Sequence, residues 1–305
     1  MRAWIELSRP THWVKNLALF VAPLFGRALV ESIASGALPW TLAAFCAFAS
    51  AGYAFNDRLD AAADREHATK KDRPFARGAL SARAVLGIGL AWFVAGCAAA
   101  LMAARVADGV VVLAAAYVAG TMLYSAVLKR VFVLDVIALA ALFVVRIYAG
   151  AAAAGVPVSP WLASCSVLGA GLVGFGKRLA EVDRNLAVFE PGAVGLTRAT
   201  LLSYRQSALK AVVLALVVAL AGVYAAYTFA AGTSAQFGAG RMPWTLPFAV
   251  AGLLRYAATA LLRSERVEDP ARLLWTDRWS LACALGWTAV AIWAVAGGTT
   301  PLEPR

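Results

Sequence analysis

Asn56, Asp57, Asp60 and Asp64 stand in the order N-D-x-x-D-x-x-x-D. Asn56, Asp60 and Asp64 are spaced i, i+4, i+8, and Asp57 lies seven residues before Asp64. At 3.6 residues per turn the four share one side of a helix. Carboxylates stacked on one face repel one another, so the spacing predicts cations between them. Their oxygens are hard ligands that suit Mg²⁺, which keeps part of its coordination shell for substrate phosphates; Mn²⁺ is an acceptable substitute. The bases that follow, Arg65, Lys70, Lys71, Arg73 and Arg77, offer contacts for an anion. The residues therefore point to a Mg²⁺-diphosphate site, with Asn56, Asp57, Asp60 and Asp64 as metal ligands. Asp57, Asp60 and Asp64 are the catalytic candidates. The competing reading is a solvated loop that only sets membrane orientation, but acids contribute little to orientation.

Further polar groups recur at other helix ends. "YSAVLKRVFVLDVIALAALFVVR" carries Tyr124, Lys129, Arg130, Asp135 and Arg146. Asp135 and Arg146 are 11 residues apart, three helical turns, and so share a face; they could simply neutralise each other. "GFGKRLAEVDR" offers Lys177, Arg178 and Glu181 at the end of a helix, where i, i+3 and i, i+4 pairing alone would account for them. "SRPTHWVKNLALFVAPLF" offers Arg9, His12, Lys15 and Asn16, with Trp13 reading as an interfacial anchor. Four isolated cysteines and two distant histidines, His12 and His67, give no zinc spacing.

The elements that must position these groups are membrane spans. The chain is 62% hydrophobic and 15% charged, with a mean hydropathy of +0.72. Residues 32–55 run without a charge, and about 20 apolar residues suffice to cross a bilayer. Nine helices are expected, near 13–31, 39–56, 84–104, 109–128, 133–153, 159–176, 211–231, 243–262 and 279–298. The fold class is all-α: a polytopic membrane protein forming a single domain over 1–305. Its polar loops fall near 56–83, 129–135, 177–210 and 263–278. The first run lacks a small-residue cleavage site and reads as a retained helix, though short and interrupted by Pro23.

Nine spans place the N-terminus and those loops on one side, which then holds 22 of the 28 Lys and Arg. The positive-inside rule makes that side cytoplasmic, with the N-terminus inside and the C-terminus outside, as in a bacterial inner (plasma) membrane. The net charge of +11 follows from the same asymmetry and does not imply nucleic acid. It does suit an anionic ligand or anionic membrane lipid. A homo-oligomer is compatible with all of this.

Together these residues resemble the UbiA superfamily of intramembrane prenyltransferases, whose motif is carried by Asn56, Asp57, Asp60 and Asp64. The resemblance is greatest to the branch of decaprenyl-phosphate phosphoribosyltransferases. It runs from "RPTHWVKN" through "DREHATKKDRPFARG", "YSAVLKRVFVLD", "LFVVRIYAG" and "GFGKRLAE" to "LLRYA" and "EDPARLLWTDR". A typical aromatic prenyltransferase has a second cluster, D-x-x-x-D, near mid-chain. Here the corresponding region offers Lys129, Arg130 and a single Asp135. One acidic cluster among several bases suits a donor with more phosphate than a prenyl diphosphate has. The branch usually has a proline and Lys-Arg after the histidine, whereas His67 is followed by Ala68, Thr69, Lys70 and Lys71.

The resemblance implies Mg²⁺-dependent transfer of 5-phosphoribose from phosphoribosyl pyrophosphate to a polyprenyl (decaprenyl) phosphate. Pyrophosphate leaves, and the product is a lipid-linked pentose for cell-envelope glycan. The substrate-binding set is then Lys15, Asn16, Arg65, Lys70, Lys71, Arg73, Tyr124, Lys129, Arg130, Asp135, Arg146, Lys177 and Arg178. Two alternatives stand beside it: an aromatic polyprenyltransferase acting on a hydroxybenzoate-like acceptor, and a non-enzymatic lipid or solute transporter. The second lacks support from any inverted repeat.

Overall fold

The computed structural model describes residues 2–66, 70–188, 204–238, 240–267 and 270–297. Among them the chain is helical without strands. Seven helical stretches are long and apolar enough to cross a membrane: Ala37–Leu59, Ala82–Ala104, Val110–Arg130, Leu134–Ala154, Gln206–Phe229, Met242–Leu262 and Arg278–Ala296. They correspond to the second to fifth and seventh to ninth expected spans.

The other two expected spans take different forms. The stretch expected at 13–31 is broken into an eleven-residue 3₁₀ helix, Pro10–Phe20, and two short helices, Val21–Phe25 and Leu29–Ala34. Proline accounts for the first break, and Arg27, with a φ of 59°, lies in the second. Pro10 begins the 3₁₀ helix, and Pro23 cannot donate to an α-helical ladder. The stretch expected at 159–176 is Pro160–Val188, 29 residues long. Lys177 and Arg178 therefore lie within a continuing helix, not at its end.

The described residues group into two compact units. In the first, α1 is Arg2–Ser8, α2 is the short helix Val21–Phe25, whose residues from Leu24 group with the second unit, and α3 is Leu29–Ala34. The unit continues with α4 (Ala37–Leu59), α5 (Ala61–Glu66), α6 (Ala82–Ala104), α7 (Val110–Ala126) and α8 (Leu134–Ala154). Gly36 and Gly109, with φ of 82° and 83°, turn the chain into α4 and α7, a conformation open to glycine at little cost. Ser81 caps α6 by accepting from the Ala84 amide. Of the seven candidate spans, α4 is the most enclosed, 56% of its apolar window being buried. Phe45 and Phe48 of α4 pack with Tyr117, Val110, Ala149 and Ala153. A Cβ on Gly96 would lie 2.7 Å from the Phe48 ring, so this glycine sets how closely α6 approaches α4. The 3₁₀ helix is tied in more tightly still. A Cβ on Gly150 of α8 would stand 1.9 Å from the Leu19 carbonyl oxygen.

In the second unit, α9 is Pro160–Val188, followed by α10 (Gln206–Phe229), α11 (Ala231–Phe237), α12 (Leu246–Leu262), α13 (Pro270–Thr276) and α14 (Arg278–Ala296). Its core joins Leu172, Leu179, Val213, Val217, Ala257 and Ala260. Asp277 caps α14 through the Ser280 amide and receives two hydrogen bonds from Arg255 of α12.

Candidate active site

The acidic motif sits where the central helix of the first unit ends. α4 closes at Leu59, Asp60 forms the cap, and α5 resumes at Ala61. The helical register survives the junction, because the Asp60 amide donates to the Asn56 carbonyl and the Asp64 amide to the Asp60 carbonyl. Asp57 and Asp64 are buried, whereas Asn56 and Asp60 are half-buried.

Basic side chains divide the four residues into two pairs. Arg73 Nη1 lies 3.2 Å from Asp57 Oδ1 and 2.6 Å from Asp64 Oδ2. Arg9 Nη2 lies 2.5 and 2.8 Å from the two Asp57 oxygens, and its guanidinium stacks over the Tyr53 ring at 5.0 Å. Lys129 Nζ lies 2.5 Å from Asp60 Oδ1 and 3.1 Å from Asn56 Oδ1. Lys129 belongs to the short turn between α7 and α8, so two polar loops expected on one membrane face do meet.

Among the described residues, no three His, Cys, Asp or Glu side chains converge to hold a metal. The donor chemistry nevertheless fits Mg²⁺. Each oxygen pair already brackets one positively charged nitrogen, and Mg²⁺ is commonly held by one or two carboxylates with substrate phosphates completing its shell.

A second polar layer lies deeper. Arg146, in the middle of α8, donates Nε to Asn16 Oδ1 at 2.8 Å, Nη2 to the Tyr117 hydroxyl at 2.8 Å and Nη1 to the Leu142 carbonyl at 2.9 Å. It also stacks on Tyr117, and Asn16 in turn donates to Cys46 Sγ at 3.1 Å. Cys46 precedes Asn56 by ten residues, which places this layer about 15 Å along α4 from the acids.

The profile of the UbiA prenyltransferase family matches residues 18–276. The chain belongs to the UbiA prenyltransferase family. A decaprenyl-phosphate phosphoribosyltransferase of Corynebacterium glutamicum is 32% identical, covering 95% of this chain and 86% of the relative. One from Mycobacterium tuberculosis is 29% identical over 96% and 94%. Among solved structures, a UbiA homologue from Archaeoglobus fulgidus bound to GPP and Mg²⁺ has a TM-score of 0.68 at 18% identity, covering 96% and 99%. The chain is thus a multi-pass membrane transferase of the UbiA fold.

Within this UbiA chain, the structure brings together Asn56, Asp57, Asp60, Asp64, Arg73 and Lys129 from the sequence-predicted set, and separately Asn16 with Arg146. Arg65, Lys71 and Arg130 are exposed, and Lys15 is exposed on the 3₁₀ helix. Lys70 is half-buried in the turn before Arg73. Tyr124 packs against the α4 core and not on the acids. Asp135 is fully buried, with Oδ1 accepting from the Val136 amide. The alternative in which Asp135 and Arg146 neutralise each other does not hold, because the guanidinium is directed to Asn16 and Tyr117. In the second unit, Arg178 is fully buried and paired with Glu181, as the i, i+3 spacing predicts, and Lys177 is half-buried. His67, Ala68 and Thr69, and the loop portions 189–203 and 268–269, lie outside the described residues.

Sequence reasoning missed two partners. Arg9 was visible as a base, but its target lies 48 residues away and nothing local connects them. Tyr117 sits in a charge-free run, with no acid or base at helical spacing within it, so no signal marked it.

Proposed function

We propose that this enzyme transfers 5-phosphoribose from phosphoribosyl pyrophosphate to a polyprenyl phosphate, releasing pyrophosphate, with all 305 residues acting as a single integral membrane domain. The carrying observation is the balance of the site. One acidic motif is met by Arg9, Arg73 and Lys129, with Lys129 standing on Asp60 where a second acidic cluster would supply carboxylates. The names and coverage of the Corynebacterium and Mycobacterium relatives support the same donor.

On this reading Asn56, Asp57, Asp60 and Asp64 hold Mg²⁺, which when bound supplies Lewis acidity and a template for the leaving diphosphate. Arg73 and Arg9 pair with Asp57 and Asp64 and orient their carboxylates, and Arg73, partly exposed, lies within reach of a phosphate. Lys15, Lys70, Lys71, Arg65 and Arg130 give the mouth of the site its positive potential. The acceptor phosphate is already anionic at neutral pH, so attack on the ribosyl carbon needs no general base. The transition state is oxocarbenium-like, as in glycosyl transfer generally. The acids face the cytoplasm, where a soluble phosphorylated sugar donor is met.

A donor assay tests the reading. Membranes containing the enzyme receive labelled phosphoribosyl pyrophosphate with polyprenyl phosphate, or prenyl diphosphate with a hydroxybenzoate. Label entering the lipid phase only from the first mixture is expected. Product from the second mixture alone would replace this reading with aromatic prenyl transfer.

A further inference from the structure

Lys129 holds the position on Asn56 and Asp60 that a metal ion would need. Its ammonium is 2.5 Å from Asp60 Oδ1 and 3.1 Å from Asn56 Oδ1, and its side chain is only 4% exposed. A divalent ion ligated to those same oxygens at about 2.0–2.1 Å would stand beside the ammonium, and the two like charges repel unless the ammonium moves. The other pair is different. Arg9 and Arg73, which neutralise Asp57 and Asp64, are 18% and 22% exposed and carry long side chains with access to water. Displacing them leaves a solvated guanidinium. Displacing Lys129 leaves a buried cation without its counter-charge, and a buried ion pair that loses one partner is strongly penalised.

We infer that Lys129 couples metal binding to diphosphate binding: the Asn56–Asp60 pair accepts a metal only when an incoming diphosphate gives the displaced ammonium a new anionic partner. The inference rests on the metal-diphosphate reading of the site and adds to it a role for Lys129 as a positioning residue. In this role it does not add to the donor's affinity alone. It suppresses metal binding in the donor's absence, so metal and donor enter as one unit. Linkage then requires reciprocity: the metal must tighten diphosphate binding by the factor by which diphosphate tightens the metal.

The test reads Mn²⁺ binding directly, by the free-Mn²⁺ electron paramagnetic resonance signal, on the purified full-length protein in detergent. Inorganic pyrophosphate is the probe, and free Mn²⁺ is fixed by calibration so that complexation in solution affects every protein alike. Wild-type protein should bind Mn²⁺ weakly alone and about tenfold or more tightly with pyrophosphate, within the usual range of coupling factors. Lys129→Met keeps the length of the side chain without its charge. It should bind Mn²⁺ more tightly than wild type in the absence of pyrophosphate and lose most of the enhancement. Lys129→Arg, a second variant that retains the charge, should stay coupled. Equal Mn²⁺ affinity of wild type and Lys129→Met without pyrophosphate overturns the coupling while leaving the metal-diphosphate reading intact. Absence of Mn²⁺ binding in all three proteins, with and without pyrophosphate, overturns both.

Discussion

Asp57 is held by two arginines from opposite sides in sequence, Arg9 before it and Arg73 after it. A hydrogen bond to a charged group contributes about 1.5–3 kcal/mol, and Asp57 is only 2% exposed, so water cannot replace a lost partner. Arg9→Ala should therefore lower the melting temperature of the detergent-solubilised protein as well as its activity. An unchanged melting temperature would show that Asp57 is balanced by other groups. Asp60→Asn tests the other pair. It removes the charge that holds both Lys129 and the proposed metal, and kcat/KM should fall by at least about a hundredfold. Chelation with EDTA should abolish turnover and added Mg²⁺ restore it. Turnover that survives thorough chelation would refute the metal's part in the reaction.

At the level of elements, the close approach of the 3₁₀ helix to α8 has a sharp consequence. Gly150→Ala places a methyl group inside the contact distance of a backbone carbonyl, which cannot rotate away as a side chain can. Overpacking of this kind costs about 1–3 kcal/mol and sometimes more, so a large loss of thermal stability is expected and Gly150→Ser should do no better. The second unit offers a pH test. Hydrogen bonds from Arg255, and with them the amide and hydroxyl of Ser280, hold the Asp277 carboxyl well below the usual carboxylate range. Its folded pKa is depressed, so its contribution is fully present above the unfolded value of about 3.9 and is lost only as pH falls through the lower folded value. The melting-temperature gap between wild type and Asp277→Asn should be constant from pH 8 to about 5 and close only under strongly acid conditions. A gap that closes near pH 6 would contradict that assignment. The legibility of the sequence follows the same division. The ends of α4 and α7 and the acids at the end of α4 could be read because i, i+4 spacing and apolar length are local quantities. The 3₁₀ helix could not be read, because an apolar run does not distinguish a tightened helix from an α-helix. Lys129 was marked as a base, but its seat on Asp60 depends on how α4 and α7 pack.

For the whole molecule, we propose an inside N-terminus, because nine spans would divide the bases 22 on one face against four on the other. The contact between Lys129 and Asp60 agrees with both polar loops lying at the same membrane face. Single cysteines placed at Lys71 and at Asp108, both exposed, in a background with Cys46, Cys97, Cys165 and Cys283 replaced, provide the check. In intact cells an impermeant maleimide should label the cysteine at 108 and reach the one at 71 only after the membrane is opened. Labelling of 71 in intact cells would invert the arrangement and place the acids outside.

The way Arg9 and Arg73 flank the acids also bears on how the chain is made. Among the described residues, the groups that neutralise Asp57 and Asp64 are Arg9 and Arg73, whereas Lys129, which balances Asp60, arrives after two more spans have been synthesised. Chains emerge from the ribosome N-terminus first. The two buried carboxylates of the motif can thus find their counter-charges while α4 is the only long apolar helix available, before the bundle closes around them. Biogenesis at the membrane therefore meets a helix end whose charges already cancel, and the half-exposed Asp60 is the one left to wait.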